Sequence, residues 1–131
     1  MIFIDSNIPM YLVGAKHPNK TATMSLLASA VRKQQRLVTD AEVFQEILHR
    51  YTATHGFDAI EPAFNALRGL VDEVFAVDID DVDQARSILL TNSGISARDA
   101  LHVAIMTRHT VNTIMSFDAG FDRIDTLVRI S

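Results

Sequence analysis

Ile2-Phe3-Ile4-Asp5-Ser6-Asn7 decides how the rest of the chain is read. Three apolar residues, two of them β-branched, form a run short enough for a buried strand. The acid and small polar residues that follow offer turn and helix N-cap chemistry. Pro9 fits the first turn of a following helix, which would carry Ile8, Met10, Tyr11 and Leu12 before Gly14. His17-Pro18-Asn19 then marks a connection to a second helical stretch.

The same punctuation recurs along the chain. From about Asn19 to Arg36 the apolar residues Met24, Leu27, Ala28 and Val31 have helical spacing, and the stretch ends on the basic run Arg32 to Arg36. Leu37-Val38-Thr39 reads as a second strand, followed by a helix carrying Glu42, Val43, Phe44, Glu46, Ile47, Leu48 and Tyr51. A further helix is expected over Phe57 to Val71, a third strand over Glu73 to Val77, and a helix through Leu90 that stops at Asn92-Ser93-Gly94. Ser96 caps a small-residue and apolar helix through Met106. Thr113 to Phe117 and Leu127 to Ile130 supply the last two strands. Strands alternating with helices predict an α/β sandwich with a mainly parallel sheet, in a single domain over residues 1–131.

Composition narrows the function classes. With 131 residues, 48% hydrophobic and 21% charged, the chain has material for one core and not for two. It contains no Cys, which excludes disulfides, thiolate metal sites and a cysteine nucleophile and suits a reducing compartment. The N-terminus lacks a basic region and a long apolar run, and no segment approaches the ~20 apolar residues of a membrane span. A cytoplasmic protein without membrane association is expected. The net charge of −4 argues against nucleic-acid binding through a broad basic face, but not against a nuclease whose acids gather cations.

The chemistry rests on acids. Asp5 and Asp118 each follow an apolar strand, at the carboxyl end of a parallel sheet where ligands collect. Asp99 opens an otherwise apolar helix, and Glu46 lies among Val43, Phe44, Ile47 and Leu48, where an unpaired carboxylate is expensive to bury. If these acids share a pocket, their repulsion demands cations. Hard oxygen ligands suit Mg²⁺ or Mn²⁺, which polarise a phosphoryl oxygen, activate water and orient a phosphodiester. Taken singly, each acid is better explained otherwise, Asp5 and Asp99 as helix caps and Glu46 and Asp118 as solvated residues; the four together weaken that explanation. Asp78, Asp80, Asp81 and Asp83 form the more conspicuous run, and they read as a solvated helix N-terminus outside the site.

Phe3-Ile4-Asp5-Ser6-Asn7, Val43-Phe44-Gln45-Glu46-Ile47, Ser96-Ala97-Arg98-Asp99-Ala100-Leu101-His102 and Met115-Ser116-Phe117-Asp118 through Phe121-Asp122 together resemble the PIN domain, particularly the VapC-type toxin ribonucleases. The resemblance runs from Ile2 to Ile130. It implies a three-layer α/β/α sandwich and a Mg²⁺- or Mn²⁺-dependent endoribonuclease with Asp5, Glu46, Asp99 and Asp118 as metal-binding and catalytic acids. It further implies Asn7 and Ser116 as supporting polar residues, Asp122 as a source of outer charge, a cognate VapB-like antitoxin, and a homodimer. An RNA-processing nuclease outside a toxin–antitoxin pair and a non-catalytic binding module are the rival readings.

Glu42 and Glu46 lie four residues apart on one helix face, and Glu46 is preferred because Glu42 sits in the first turn, where the helix dipole favours an acid. Arg98, beside Asp99, is the basic residue most suited to an RNA phosphate, ahead of Lys16, Lys20, Arg32, Lys33, Arg36 and Arg123. His102 reads as a packed histidine with a satisfied hydrogen bond, since no second His or Cys stands at zinc-ligand spacing. No P-loop, dinucleotide fingerprint or nucleophile elbow occurs, and Asp5-Ser6-Asn7 lacks the second Asp of a haloacid-dehalogenase phosphatase.

Overall fold

Three residues of Ile2–Ile4, all buried, form the central strand β1, and the rest of the sheet assembles outward from it. The computed structural model describes residues 1–131. In chain order the elements are β1, α1 (Asn7–Val13), α2 (Pro18–Arg32), β2 (Leu37–Asp40), α3 (Ala41–Ala53), α4 (Ile60–Leu70), β3 (Glu73–Phe75), α5 (Ile79–Thr91), α6 (Ala97–Arg108), β4 (Thr113–Met115) and β5 (Val128–Ile130). Short 3-10 turns at Phe57–Ala59 and Ala119–Arg123 precede α4 and β5.

The sheet has the order β3-β2-β1-β4-β5, and all four pairings are parallel. The chain winds outward from β1 to β3 and then returns to β4 on the other side of β1. Right-handed crossovers therefore put α1–α4 on one face and α5–α6 on the other. The packing agrees, with α1 against α2 and α4, α3 against α4, and α5 against α6. This is the expected α/β/α sandwich, and its core is built on Phe3, Ile4, Val38, Ile114 and Met115 from the middle strands. The reversal of winding direction lies between β1 and β4, so their carboxyl ends open a crevice there.

Several boundaries differ from the sequence reading. α2 stops at Arg32 rather than Arg36, because Gln34 takes a left-handed conformation (φ 54°) and the Gln35 amide closes the turn on Ala30. β3 ends at Phe75, and the Ala76 carbonyl accepts from Arg108 instead of a strand partner. The helix expected over Phe57 to Val71 divides into a 3-10 turn and α4, with Pro62 in the first turn of α4 where its missing N–H is harmless. β4 ends at Met115, not Phe117, because the Phe117 amide is taken by the Asn7 side chain. Asp118 therefore begins the 3-10 turn rather than directly following a strand.

The acidic run at Asp78 is in part what its sequence suggests: Asp78 and Asp81 form a capping box at the start of α5. Asp81, however, is buried rather than solvated, and Arg108 of α6 holds it through two hydrogen bonds of 2.7 and 2.9 Å. Ser6 occupies the N-cap of α1 without capping through its side chain.

Candidate functional site

Asp5 leaves the end of β1 as a nearly sealed carboxylate, 4% exposed. Its Oδ1 accepts from the Ser6 amide at 2.8 Å, and its Oδ2 accepts from the Ser116 hydroxyl at 2.6 Å and from the Asn7 amide group at 3.3 Å. Ser116 Oγ also accepts from the Asp118 backbone N–H at 3.0 Å. Asn7 returns Oδ1 to the Phe117 N–H. The loop after β1 is thus tied to the loop after β4 by a closed polar network, placing Asp5 and Asp118 on one crevice. Burial drives the Asp5 carboxyl up, the charge of His102 and the Ser116 hydrogen bond pull it down, and the net shift is upward.

Asp99 reaches the same place from the first turn of α6, whose N-cap Ser96 accepts from the Asp99 N–H at 3.1 Å. Burial and the neighbouring charges of Asp5 and Asp118 push its carboxyl up to about 7. Gly120 separates two of the acids: a Cβ on it would stand 3.0 Å from Asp118 Oδ1 and 3.8 Å from Asp99 Oδ2. The Gly120 N–H donates to Asp118 Oδ1 at 2.8 Å. Glu46, Asp99, Asp118 and Gly120 line an open cleft of about 1030 Å³, together with Glu42, Arg50 and Arg98.

Glu46 enters from α3 and is buried. Its Oε2 is 3.3 Å from Arg50 and 3.7 Å from Arg98, while Oε1 has no hydrogen-bond partner. Burial opposes ionisation, but His102, the Ser6 hydroxyl and Arg50 outweigh it and hold the carboxyl at about 2. Glu42, one turn earlier, lines the same cleft and pairs with Arg98 at 3.4 Å.

Behind Glu46 lies a fully buried pair. Asp40, the last residue of β2, caps α3 by accepting from the Val43 N–H at 2.9 Å, and its Oδ2 is 2.7 Å from His102 Nδ1. His102 Nε2 is 3.6 Å from Glu46 Oε1, and Asp5, Glu46 and His102 each bring a ligand-type atom within 4.8 Å of the others. Burial opposes the imidazolium, yet Asp40, Glu46 and Asp5 raise its pKa well above the ordinary value.

These residues fit a hard divalent cation. The donors are carboxylate oxygens, and on Asp5 and Asp99 burial and the charges of neighbouring acids suppress ionisation. A cation relieves that repulsion.

A family model described as the PIN domain matches residues 2–127. The chain belongs to the PIN-domain family. Within it, this domain is 53% identical over 131 residues to Ribonuclease VapC13 of Mycobacterium tuberculosis, covering 100% of both chains. The crystal structure of Mycobacterium tuberculosis VapC20, a Sarcin-Ricin loop cleaving toxin, superposes with a TM-score of 0.78 at 25% identity over 93% of each chain. The structure of VapBC-1 from nontypeable Haemophilus influenzae superposes with a TM-score of 0.71 at 17% identity, over 100% of this chain and 98% of that one. The PIN fold expected from the sequence is therefore the fold observed.

In this PIN domain Asp5, Glu46, Asp99 and Asp118 converge, with Asn7 and Ser116 binding the network together. Asp122 stands apart in a two-pronged pair with Arg129, with both contacts at 2.9 Å, and that pairing depresses its pKa. Arg98 lies on the cleft but points at Glu42 and Glu46.

Three contributors were not assigned to the site by sequence reasoning. Asp40 follows Leu37-Val38-Thr39 as directly as Asp5 follows its own strand, and the same reading would have found it. His102 has the hydrogen bond expected of a packed histidine, but only on one nitrogen; its place one turn after Asp99 was the available signal. Arg50 lies one turn beyond Glu46, and only the tertiary fold shows that it faces the cleft.

Proposed function

We propose that this chain is a single-domain, metal-dependent endoribonuclease, the toxin of a VapBC-type toxin–antitoxin pair. The observation that carries the reading is the convergence of Asp5, Glu46, Asp99 and Asp118, from four separate segments, on the crevice at the ends of β1 and β4. The reading is supported by the names of its relatives, which are VapC ribonucleases and VapC toxins.

Asp5, Asp99 and Asp118 would hold Mg²⁺ or Mn²⁺, with Glu46 beside them. When bound, such an ion supplies Lewis acidity toward a phosphoryl oxygen and toward the attacking water. The protein's own groups do the rest. Ser116 and Asn7 fix Asp5 by donating to its Oδ2. Asp99 gives up its proton to take its place in the site. Glu46, already ionised, accepts a hydrogen bond that orients the attacking water; as the water oxygen bonds to phosphorus, the P–O bond to the departing sugar oxygen breaks and that oxygen takes up the proton the water releases. Arg50 and Arg98 supply positive charge on the wall of the cleft, suited to the flanking phosphates.

Partners follow from the same reading. RNA is the substrate, with single-stranded segments best able to enter an open cleft. A VapB-like antitoxin is expected on the pocket of about 440 Å³ lined by Met10, Tyr11, Gly14 and Tyr51, with an arginine reaching the acids. A homodimer would cover Ile79, Val82 and Leu90, which α5 exposes to solvent. No helix is long and apolar enough to cross a membrane, and the proposed place of action is the cytoplasm.

Cleavage of a mixed RNA substrate, with Mg²⁺, Mn²⁺ or EDTA, by wild type and Asp99→Asn tests the proposal. Cleavage by the wild type that needs metal and is lost in Asp99→Asn is expected. Cleavage that survives EDTA, or survives the substitution, overturns it.

A further inference from the structure

The Asp40–His102 pair lies outside the four acids. His102 comes from α6, Asp40 from the junction of β2 and α3, and Glu46 from the second turn of α3. Asp40 and His102 are both fully buried. The Phe3 ring of β1 packs against the imidazole with centroids 5.5 Å apart. The ring is therefore held on its face by β1 and at Nδ1 by Asp40, and Nε2 has one direction left to point.

That direction is Glu46. His102 Nε2 and Glu46 Oε1 both lack a hydrogen-bond partner, and they are 3.6 Å apart. Two orphaned buried polar atoms facing each other are not a feature of ordinary core packing, where such atoms are paired. Closure by about 0.7 Å would make them a hydrogen bond of normal length. Glu46 Oε2, on the other branch of the same carboxylate, lies on the side of the Arg50 and Arg98 guanidiniums. Anchoring Oε1 therefore fixes where Oε2 points.

We infer that His102 is a positioning residue: gripped at Nδ1 by Asp40, it donates from Nε2 to Glu46 Oε1 and so aims Glu46 Oε2 into the metal cleft. The inference rests on the reading of Glu46 as a member of that cleft. It makes Asp40 a dual-purpose residue, capping α3 with Oδ1 and orienting the histidine with Oδ2. The alternative arrangement of the same atoms is a cation lodged among Asp5, Glu46 and His102, with Nε2 as a ligand. The two differ in whether Nε2 carries a proton.

Nitrogen-15 NMR of the imidazole in the full chain, with and without saturating Mg²⁺, reads this directly. Nε2 is expected to carry hydrogen in both conditions. An Nε2 without hydrogen, in either condition, overturns the inference. Calorimetric Mg²⁺ titration of variants gives the second readout. Binding is expected to weaken about tenfold in His102→Leu, and to return to within about threefold of wild type in His102→Gln, whose amide can still donate. Asp40→Asn keeps an efficient helix cap and is expected to weaken binding as His102→Leu does, which covers the case in which the apolar variant fails to fold. Wild-type affinity in His102→Leu or Asp40→Asn contradicts the positioning role. Asp99→Asn separates the two levels: if it too binds as wild type, the metal-site reading fails, whereas its loss alone leaves that reading standing and removes only the inference.

Discussion

Ser116 Oγ donates to Asp5 Oδ2 at 2.6 Å, joining residues 111 positions apart in sequence. The same oxygen accepts from Asn7 and from the Asp118 N–H, so one hydroxyl sets the spacing between the acids that follow β1 and β4. Ser116→Ala removes the hydroxyl and leaves the strand intact. The substitution is expected to lower stability by about 1 kcal/mol and Mg²⁺ affinity about tenfold. Denaturant unfolding and calorimetric titration measure the two effects separately.

Asp99 makes the cation-free protein sensitive to pH in an uncommon direction. Its carboxyl ionises at about 7 in the fold, against an ordinary value of 3.8, so the folded state binds more protons between those values. Stability contributed by the protonated form is present below the ordinary value and is lost as pH rises toward 7. Glu46 acts oppositely: held at about 2 against 4.5, it contributes stability above 4.5 that is lost only as pH falls through about 2. Denaturant unfolding in EDTA from pH 5 to pH 8 is therefore expected to show falling stability in the wild type and a flatter profile in Asp99→Asn. Mg²⁺ should restore wild-type stability at pH 8, because it binds the folded state alone.

Gly120 leaves space where two carboxylates meet. Gly120→Ala brings a Cβ to 3.0 Å from Asp118 Oδ1 and 3.8 Å from Asp99 Oδ2, tighter than Asp118 tolerates without turning away. Metal affinity is expected to fall at least tenfold with little change in melting temperature, since Gly120 is only partly buried. Titration and a thermal melt on the same sample check this.

Arg98 is paired with Glu42 and Glu46, at 3.4 and 3.7 Å. In the proposed site it would compete with a bound metal for Glu46 Oε2 and would exchange carboxylate for RNA phosphate. Arg98→Ala is expected to weaken RNA binding uniformly across sequences, reduce the salt dependence by about one unit of slope, and leave Mg²⁺ affinity unchanged or slightly improved. Fluorescence anisotropy with a labelled RNA at several salt concentrations gives the slope.

The four acids were legible in the sequence because each broke a local rule: Asp5 and Asp118 by their place after apolar runs, Glu46 and Asp99 by their apolar helical neighbours. The alternation of strands and helices gave the layers and the direction of the sheet. Element ends were harder to read, because they are decided by contacts far away in sequence. Met115 ends β4 because Asn7 takes the next free amide, and Phe75 ends β3 because Arg108 takes a carbonyl. The Asp81–Arg108 and Asp40–His102 pairs were hidden for the same reason. Nothing near Asp81 in the sequence announces Arg108, and nothing near Asp40 announces His102.

Asp5, Asp99 and Asp118 are proposed to hold a divalent cation with Glu46 beside it. Anomalous scattering from crystals soaked in Mn²⁺ tests that most directly. A peak is expected in the crevice between β1 and β4, within bonding distance of carboxylate oxygens from Asp5, Asp99 and Asp118, and absent in Asp99→Asn. No peak in the wild type, or a peak held by other residues, would contradict it.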